Sequence, residues 1–282
     1  MMNAKQILAL IRPKQWLKNL LIFFPVFLSG GLAHSGLYWR MGIPFVAFCC
    51  ASSASYILND FLDREQDAMH PEKKFRPIAS GNVSPVTAGF LAAGLTALAV
   101  VLGGSVSLSF IFCLLVYLGV SFLYSLKLKN LPIFDVFCIS LGFILRLFAG
   151  GAAFSIQISD WLFLSVFFLS IFLSVGKRFS ERLNLGEKAG THRPSLAAYP
   201  NGFLESAMYL SGAIVLVTYA MYTVGKPFLI YSVPLCMFGL LRYLLRIKSG
   251  QGGDPTEALL KDAHLLATGV LWLVWVGLSV YR

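Results

Sequence analysis

The sequence predicts an all-α polytopic membrane protein, a single transmembrane domain over residues 1–282, and three observations carry that expectation. Hydrophobic residues make up 57% of the chain and charged residues only 13%. The mean hydropathy is +0.73, too apolar for a soluble domain of this length. The apolar residues come in repeated stretches of roughly 20, the length an α-helix needs to cross about 30 Å of hydrocarbon. The basic residues gather in alternate connections between those stretches, as they do when one side of a membrane retains Lys and Arg.

Nine spans follow from this pattern. The first, Trp16 to Ala33, comes after a basic amino terminus with Lys5, Arg12, Lys14 and Lys18. It lacks a small-residue cleavage site leading into a soluble region, so it reads as a retained helix. The second, Gly42 to Leu62, runs into a connection carrying Arg64, Lys73, Lys74 and Arg76. The third, Pro85 to Val106, and the fourth, Ser107 to Leu126, are followed by Lys127 and Lys129. The fifth, Leu131 to Phe154, and the sixth, Trp161 to Val175, lead to Lys177, Arg178, Arg182, Lys188 and Arg193. The seventh, Gly202 to Val224, and the eighth, Pro227 to Leu245, lead to Arg242, Arg246, Lys248 and Lys261. Ala258 to Tyr281 is the ninth. All but four of the 23 basic residues, the exceptions being Arg40, Arg146, Lys226 and Arg282, therefore fall on one side. That side is expected to be the cytosol, in an inner (cytoplasmic) membrane, with the amino terminus on the same face.

The chemistry is expected where acid is scarce and concentrated. Only 13 residues are acidic, yet Tyr56-Ile-Leu-Asn-Asp-Phe-Leu-Asp-Arg-Glu-Gln-Asp67 places Asn59, Asp60, Asp63 and Asp67 at offsets that share a helix face. Carboxylates stacked in this way repel one another unless a cation lies among them, and hard oxygens beside water suit Mg²⁺ bridging to phosphates. The next residues, His70-Pro-Glu-Lys-Lys-Phe-Arg-Pro-Ile-Ala-Ser-Gly81, add Lys73, Lys74 and Arg76 for the phosphates themselves. Charge at a membrane face is costly, which favours a functional reading over an ordinary solvated loop.

Arg146 sits in the middle of the fifth span, where a guanidinium needs a cavity or a partner. Asp135, about three turns earlier on the same helix, is a candidate. Lys177, Arg178 and Glu181 end the sixth span and either snorkel or complete an anion pocket. Tyr124-Ser-Leu-Lys-Leu-Lys-Asn130 is poised similarly, with Tyr124 and Lys127 facing the same side. The four histidines, His34, His70, His192 and His264, lack paired ligand spacing, and no Walker loop, nucleophile elbow or dinucleotide fingerprint occurs. The cysteines, Cys49, Cys50, Cys113, Cys138 and Cys236, lie inside spans and read as packing residues. No nucleic acid is expected as a partner.

The motif Asn59-Asp60-x-x-Asp63-x-x-x-Asp67 at the end of a second span, within a nine-span layout, resembles the UbiA-type intramembrane prenyltransferases over nearly the whole chain. The resemblance implies nine helices around a central cavity, Mg²⁺ held by aspartate-rich loops, and Asn59, Asp60 and Asp63 as the catalytic centre. The second aspartate-rich loop of that superfamily is absent, and Gly176-Lys-Arg-Phe-Ser-Glu181 stands in its place. Four segments are instead similar to the decaprenyl-phosphate phosphoribosyltransferase branch: Arg12-Pro-Lys-Gln-Trp-x-Lys-Asn19, His70 to Gly81, Gly142-Phe-x-Leu-Arg146 with Ala149-Gly150, and Gly176-Lys-Arg178 with Glu181. This branch implies phosphoribosyl pyrophosphate as donor and a polyprenyl phosphate as acceptor. Lys14, Lys18, Lys73, Lys74, Arg76, Lys177 and Arg178 are the cations available to their phosphates. Two other readings stay open: prenyl transfer from a polyprenyl diphosphate to an aromatic or haem acceptor, and transport of an anionic lipid.

Overall fold

A computed structural model of the chain describes residues 4–33, 38–71, 73–186 and 194–282. His34, Lys188, His192 and Arg193 lie outside the described residues. The elements are helical throughout. A short α1 (Ala4–Ile11) turns at Arg12, whose backbone is left-handed, into a 3₁₀ run (Pro13–Phe23) that continues as α2 (Phe24–Leu28). Then come α3 (Tyr38–Leu62), α4 (Arg64–Ala68), α5 (Pro85–Gly104), α6 (Leu108–Leu126), α7 (Phe134–Phe154), α8 (Asp160–Leu185) and α9 (Pro194–Ala198). The chain finishes with α10 (Phe203–Thr223), α11 (Val233–Lys248), α12 (Pro255–Lys261) and α13 (Ala263–Tyr281).

Side-chain caps fix where many of these begin. Ser84, Ser107, Ser159, Asp254 and Asp262 each accept a backbone N–H in the first turn of the following helix, satisfying a donor that would otherwise be orphaned. Eight helices among the described residues are long and apolar enough to cross a membrane. The first predicted span differs. Pro13 at the first helical position and the polar Lys14, Gln15, Lys18 and Asn19 give a 3₁₀ run in place of one long apolar α-helix. At about 2 Å of rise per 3₁₀ residue and 1.5 Å per α residue, Pro13 to Leu28 still extends roughly 30 Å.

The sixth predicted span ends too early. Helix α8 continues through Lys177, Arg178, Glu181 and Arg182 to stop at Gly186, whose φ of 52° suits glycine. The ninth begins too early, because Asp262 caps α13 and separates α12 from it.

Neighbours in sequence are mostly neighbours in space. The 3₁₀ run lies against α3 and α7, α3 against α5 and α6, and α6 against α7; the circuit passes through α8, α10, α11 and α13 and returns to α2. Closure is specific: the Tyr281 hydroxyl donates to the carbonyl of Phe27 at 3.0 Å. Phe24 also stacks on Trp272 at 6.0 Å. Gly150 permits the other close approach, since a Cβ there would collide with the carbonyl of Ile22.

Candidate active site

The acidic motif straddles the end of α3 and the start of α4, and the structure sorts its four residues into two pairs. Asp60 and Asp67 share Arg76, whose Nη1 lies 2.9 Å and 2.6 Å from their carboxylates. Arg12 completes the Asp60 site, its Nη2 2.6 Å from both oxygens, while its guanidinium rests over the Tyr56 ring. Burial pushes the Asp67 carboxyl above its usual value, and Arg76 and Lys73 oppose that shift only in part. Asn59 and Asp63 form the second pair. The Asn59 amide donates to Asp63 at 3.0 Å, and Lys129 binds the other Asp63 oxygen while lying 3.5 Å from the Asn59 Oδ1. A small polar cleft opens here, lined by Asp63, Asp67, His70, Lys73 and Lys129.

Lys177 and Arg178, adjacent in sequence, point to different places. Arg178 is 2% exposed and fully engaged, reaching Asp135 at 2.9 Å, Glu181 at 2.7 Å and the Tyr124 hydroxyl at 3.0 Å. Asp135 also accepts from Ser195 and Tyr199. Arg178, Glu181 and Tyr124 thus join α6, α7, α8 and α9 together, and the expected pairing of Asp135 with Arg146 does not form. Three turns of a straight helix hold those two apart, whereas Arg178 comes to Asp135 from α8. Arg146 is buried among neutral partners: Asn19 Oδ1 at 2.7 Å, the Gly142 carbonyl at 2.7 Å and the Tyr117 hydroxyl at 3.1 Å. Its guanidinium also faces the Tyr117 ring at 4.6 Å.

Lys177 turns to Asp254, 2.8 Å away, in the connection between α11 and α12. Burial raises the Asp254 carboxyl, but Lys177 and Lys18 more than offset that and hold it well below the usual carboxylate range. Lys14, Lys74 and Lys127 are exposed, with Lys74 over the Phe75 ring.

Residues 21–278 match the UbiA prenyltransferase family. The chain belongs to that family. Among full-length UbiA relatives, a decaprenyl-phosphate phosphoribosyltransferase from Mycolicibacterium smegmatis is 32% identical over 96% of this chain and 91% of its own length. One from Corynebacterium glutamicum is 34% identical over 96% and 85%. The fold agrees with a UbiA homologue from Archaeoglobus fulgidus bound to GPP and Mg²⁺, with a TM-score of 0.76 at 22% identity over 98% of this chain and all of that one. As a UbiA-family transferase with eight long apolar helices among the described residues, the protein is a multi-pass membrane enzyme.

Whether the acidic motif suits a divalent metal turns on Asn59 and Asp63. Their oxygens already flank one cation, the Lys129 ammonium, and an amide oxygen with a carboxylate is a donor set that Mg²⁺ accepts when phosphates and water supply the rest. The residues therefore fit. Among the described residues no three His, Cys, Asp or Glu side chains converge on one point, because Asp60 and Asp67 face guanidinium groups. Sequence reasoning left Arg12, Lys129 and Asp254 out of the site. Asp254 had a local signal, since Asp-Pro-Thr-Glu is a helix start.

Proposed function

We propose that the protein transfers the 5-phosphoribosyl group from phosphoribosyl pyrophosphate to a polyprenyl phosphate, giving polyprenylphosphoryl-5-phosphoribose and pyrophosphate. The reaction is placed at the cytosolic face of the inner membrane. The observation that carries this reading is identity of 32–34% across nearly the whole chain with decaprenyl-phosphate phosphoribosyltransferases. The site supports it: one Asn–Asp pair at the junction of α3 and α4, and a lysine where a second aspartate-rich loop is expected, suit substrates bearing several phosphates.

In this reading an oxygen of the acceptor phosphate bonds to the anomeric carbon as the bond from that carbon to the diphosphate oxygen breaks. The acceptor is already anionic and needs no strong base. Asn59 and Asp63 would hold Mg²⁺, which would neutralise charge on the leaving diphosphate. Lys129 and Lys73, on the walls of the same cleft, donate to diphosphate oxygens. Arg76 and Arg12 hold Asp60 and Asp67, fixing the loop from which Lys73 projects. The exposed Lys14, Lys74 and Lys127 attract the anionic substrates by long-range charge. Arg146 provides positive potential behind the cleft, and the Tyr124, Arg178 and Glu181 network positions α8.

The test is a Mg²⁺-dependent assay of the purified protein in detergent with polyprenyl phosphate and phosphoribosyl pyrophosphate labelled in the ribose. Label should enter the organic phase, and Asp63→Asn should cut the rate by roughly 10²-fold or more. Absence of lipid-borne label, with turnover of a polyprenyl diphosphate and an aromatic acceptor, would replace this reading with prenyl transfer.

A further inference from the structure

Beyond the Asn59–Asp63 pair lies a second charged cluster, and its charges do not balance. The 3₁₀ run that carries Lys18 packs against α12, which begins one residue after Asp254, and its Asn19 accepts from Arg146 at 2.7 Å. Lys18, the neighbour of Asn19 on that run, makes no side-chain hydrogen bond to any described residue. Arg12 is neutralised by Asp60. That leaves Lys177 on a single carboxylate, Asp254, with Lys18 on the adjoining 3₁₀ run and Arg146 behind it on Asn19. An excess of about two positive charges among buried and half-buried groups at the face of a membrane protein raises the local positive potential and favours an anion joining it.

The position of Asp254 is imposed by close packing. Tyr243 donates to the Gly253 carbonyl at 2.6 Å and Arg246 to that of Gln251 at 2.8 Å. A Cβ at Gly253 would meet Ser180 and the Gly176 carbonyl, and one at Gly176 would meet Tyr243 and Ile247. Two glycines thus press the loop onto α8 beside Lys177. The carboxylate has two employments: Oδ1 accepts the Thr256 and Glu257 amides that begin α12, and Oδ2 accepts Lys177. Only the second must be surrendered for Lys177 to take another anion.

We propose that Lys18 and Lys177, backed by Arg146, form a phosphate-monoester subsite separate from the Asn59–Asp63 pair, with Asp254 as an internal counter-ion that the incoming phosphate displaces from Lys177. A monoester carries close to two negative charges near neutrality, which matches the excess. The proposal rests on the phosphoribosyl-transfer reading for its ligands, because donor and acceptor there each bring one monoester: the 5-phosphate of the ribose and the phosphate of the lipid.

The test is separate from turnover. Thermal unfolding of the full chain in detergent, without Mg²⁺, is followed on titration with farnesyl phosphate and with ribose 5-phosphate. Stabilisation of the wild type by farnesyl phosphate alone assigns the subsite to the acceptor, and by ribose 5-phosphate alone to the donor. Either ligand should bind Lys177→Met and Lys18→Met roughly tenfold or more weakly, the loss expected for a charge-assisted bond. Asp254→Asn keeps the helix cap and removes the competing charge, so it should bind several-fold more tightly. Lys261→Met, on an exposed pair with Glu257, is the control and should bind like wild type. Stabilisation by neither monoester, or stabilisation that survives in both lysine variants, overturns the subsite. Monoester binding with these dependences but no lipid-borne ribose in the transfer assay overturns the reaction while leaving the subsite standing.

Discussion

A guanidinium with three polar partners and almost no exposed surface is held by its neighbours' charges, and its removal leaves those charges behind. Arg178→Met strips the cation from Asp135, which is itself 0% exposed, and a buried pair broken on one side costs about 3–5 kcal/mol. The expected outcome is a large fall in thermal unfolding temperature in detergent. Lys177→Met should lose well under half as much, since that lysine and Asp254 both retain exposed surface. Equal losses would show that burial does not distinguish the two positions. Single residues were unevenly legible. The spacing of Asn59, Asp60, Asp63 and Asp67 put them on one face, and Asn59 does bond Asp63 one turn on. Their cations were not legible: Arg12 lies 48 positions from Asp60, and Lys129 lies 66 from Asp63. Lys177 and Asp254 are 77 apart. No local period encodes such pairings; they depend on which helices the fold sets side by side.

Helices were read most easily where lipid is their solvent, because a run of apolar residues is all that the bilayer demands. Reading failed where solvent changes and structure does not. Hydropathy drops at Lys177, yet α8 stays helical for another two turns because its charged residues leave the membrane without a break signal until Gly186. The first span, read from Trp16 to Ala33, differs for the opposite reason: it begins as a 3₁₀ run at Pro13 and not as one long apolar α-helix, and the bundle satisfies its polar residues. Asn19 donates to Ser52 at 3.2 Å and accepts from Arg146, and Trp16 donates to Ser53 at 3.0 Å. This element's seating against α7 depends on Gly150. Gly150→Ala should therefore cost roughly 1–3 kcal/mol, while Gly94→Ala in α5, where a Cβ meets open space, should be neutral or slightly stabilising. The two variants are compared by thermal unfolding. A neutral Gly150→Ala would mean that the first run can shift without loss.

For the molecule as a whole, the one-sided distribution of basic residues predicts an orientation that can be checked directly. The native cysteines are buried or half-buried, so a new exposed one stands out. Lys74→Cys should react with a membrane-impermeant maleimide only after cells are opened, and Lys226→Cys, between α10 and α11, should react in spheroplasts. The reverse pattern would invert the topology and move the acidic motif to the outer face. The circuit of helices was legible in its members but not in its closure, since the aromatic contacts between α2 and α13 look like any other lipid-facing residues. That closure also has a consequence in time. Phe27 and Tyr281 are 254 positions apart, and a ribosome adding 5–20 residues per second needs roughly 10–50 s to make the second after the first. Throughout that interval the flank of the first segment that α13 covers has no partner, so the ring is completed last, by the docking of a helix that emerges when almost everything else has already been made.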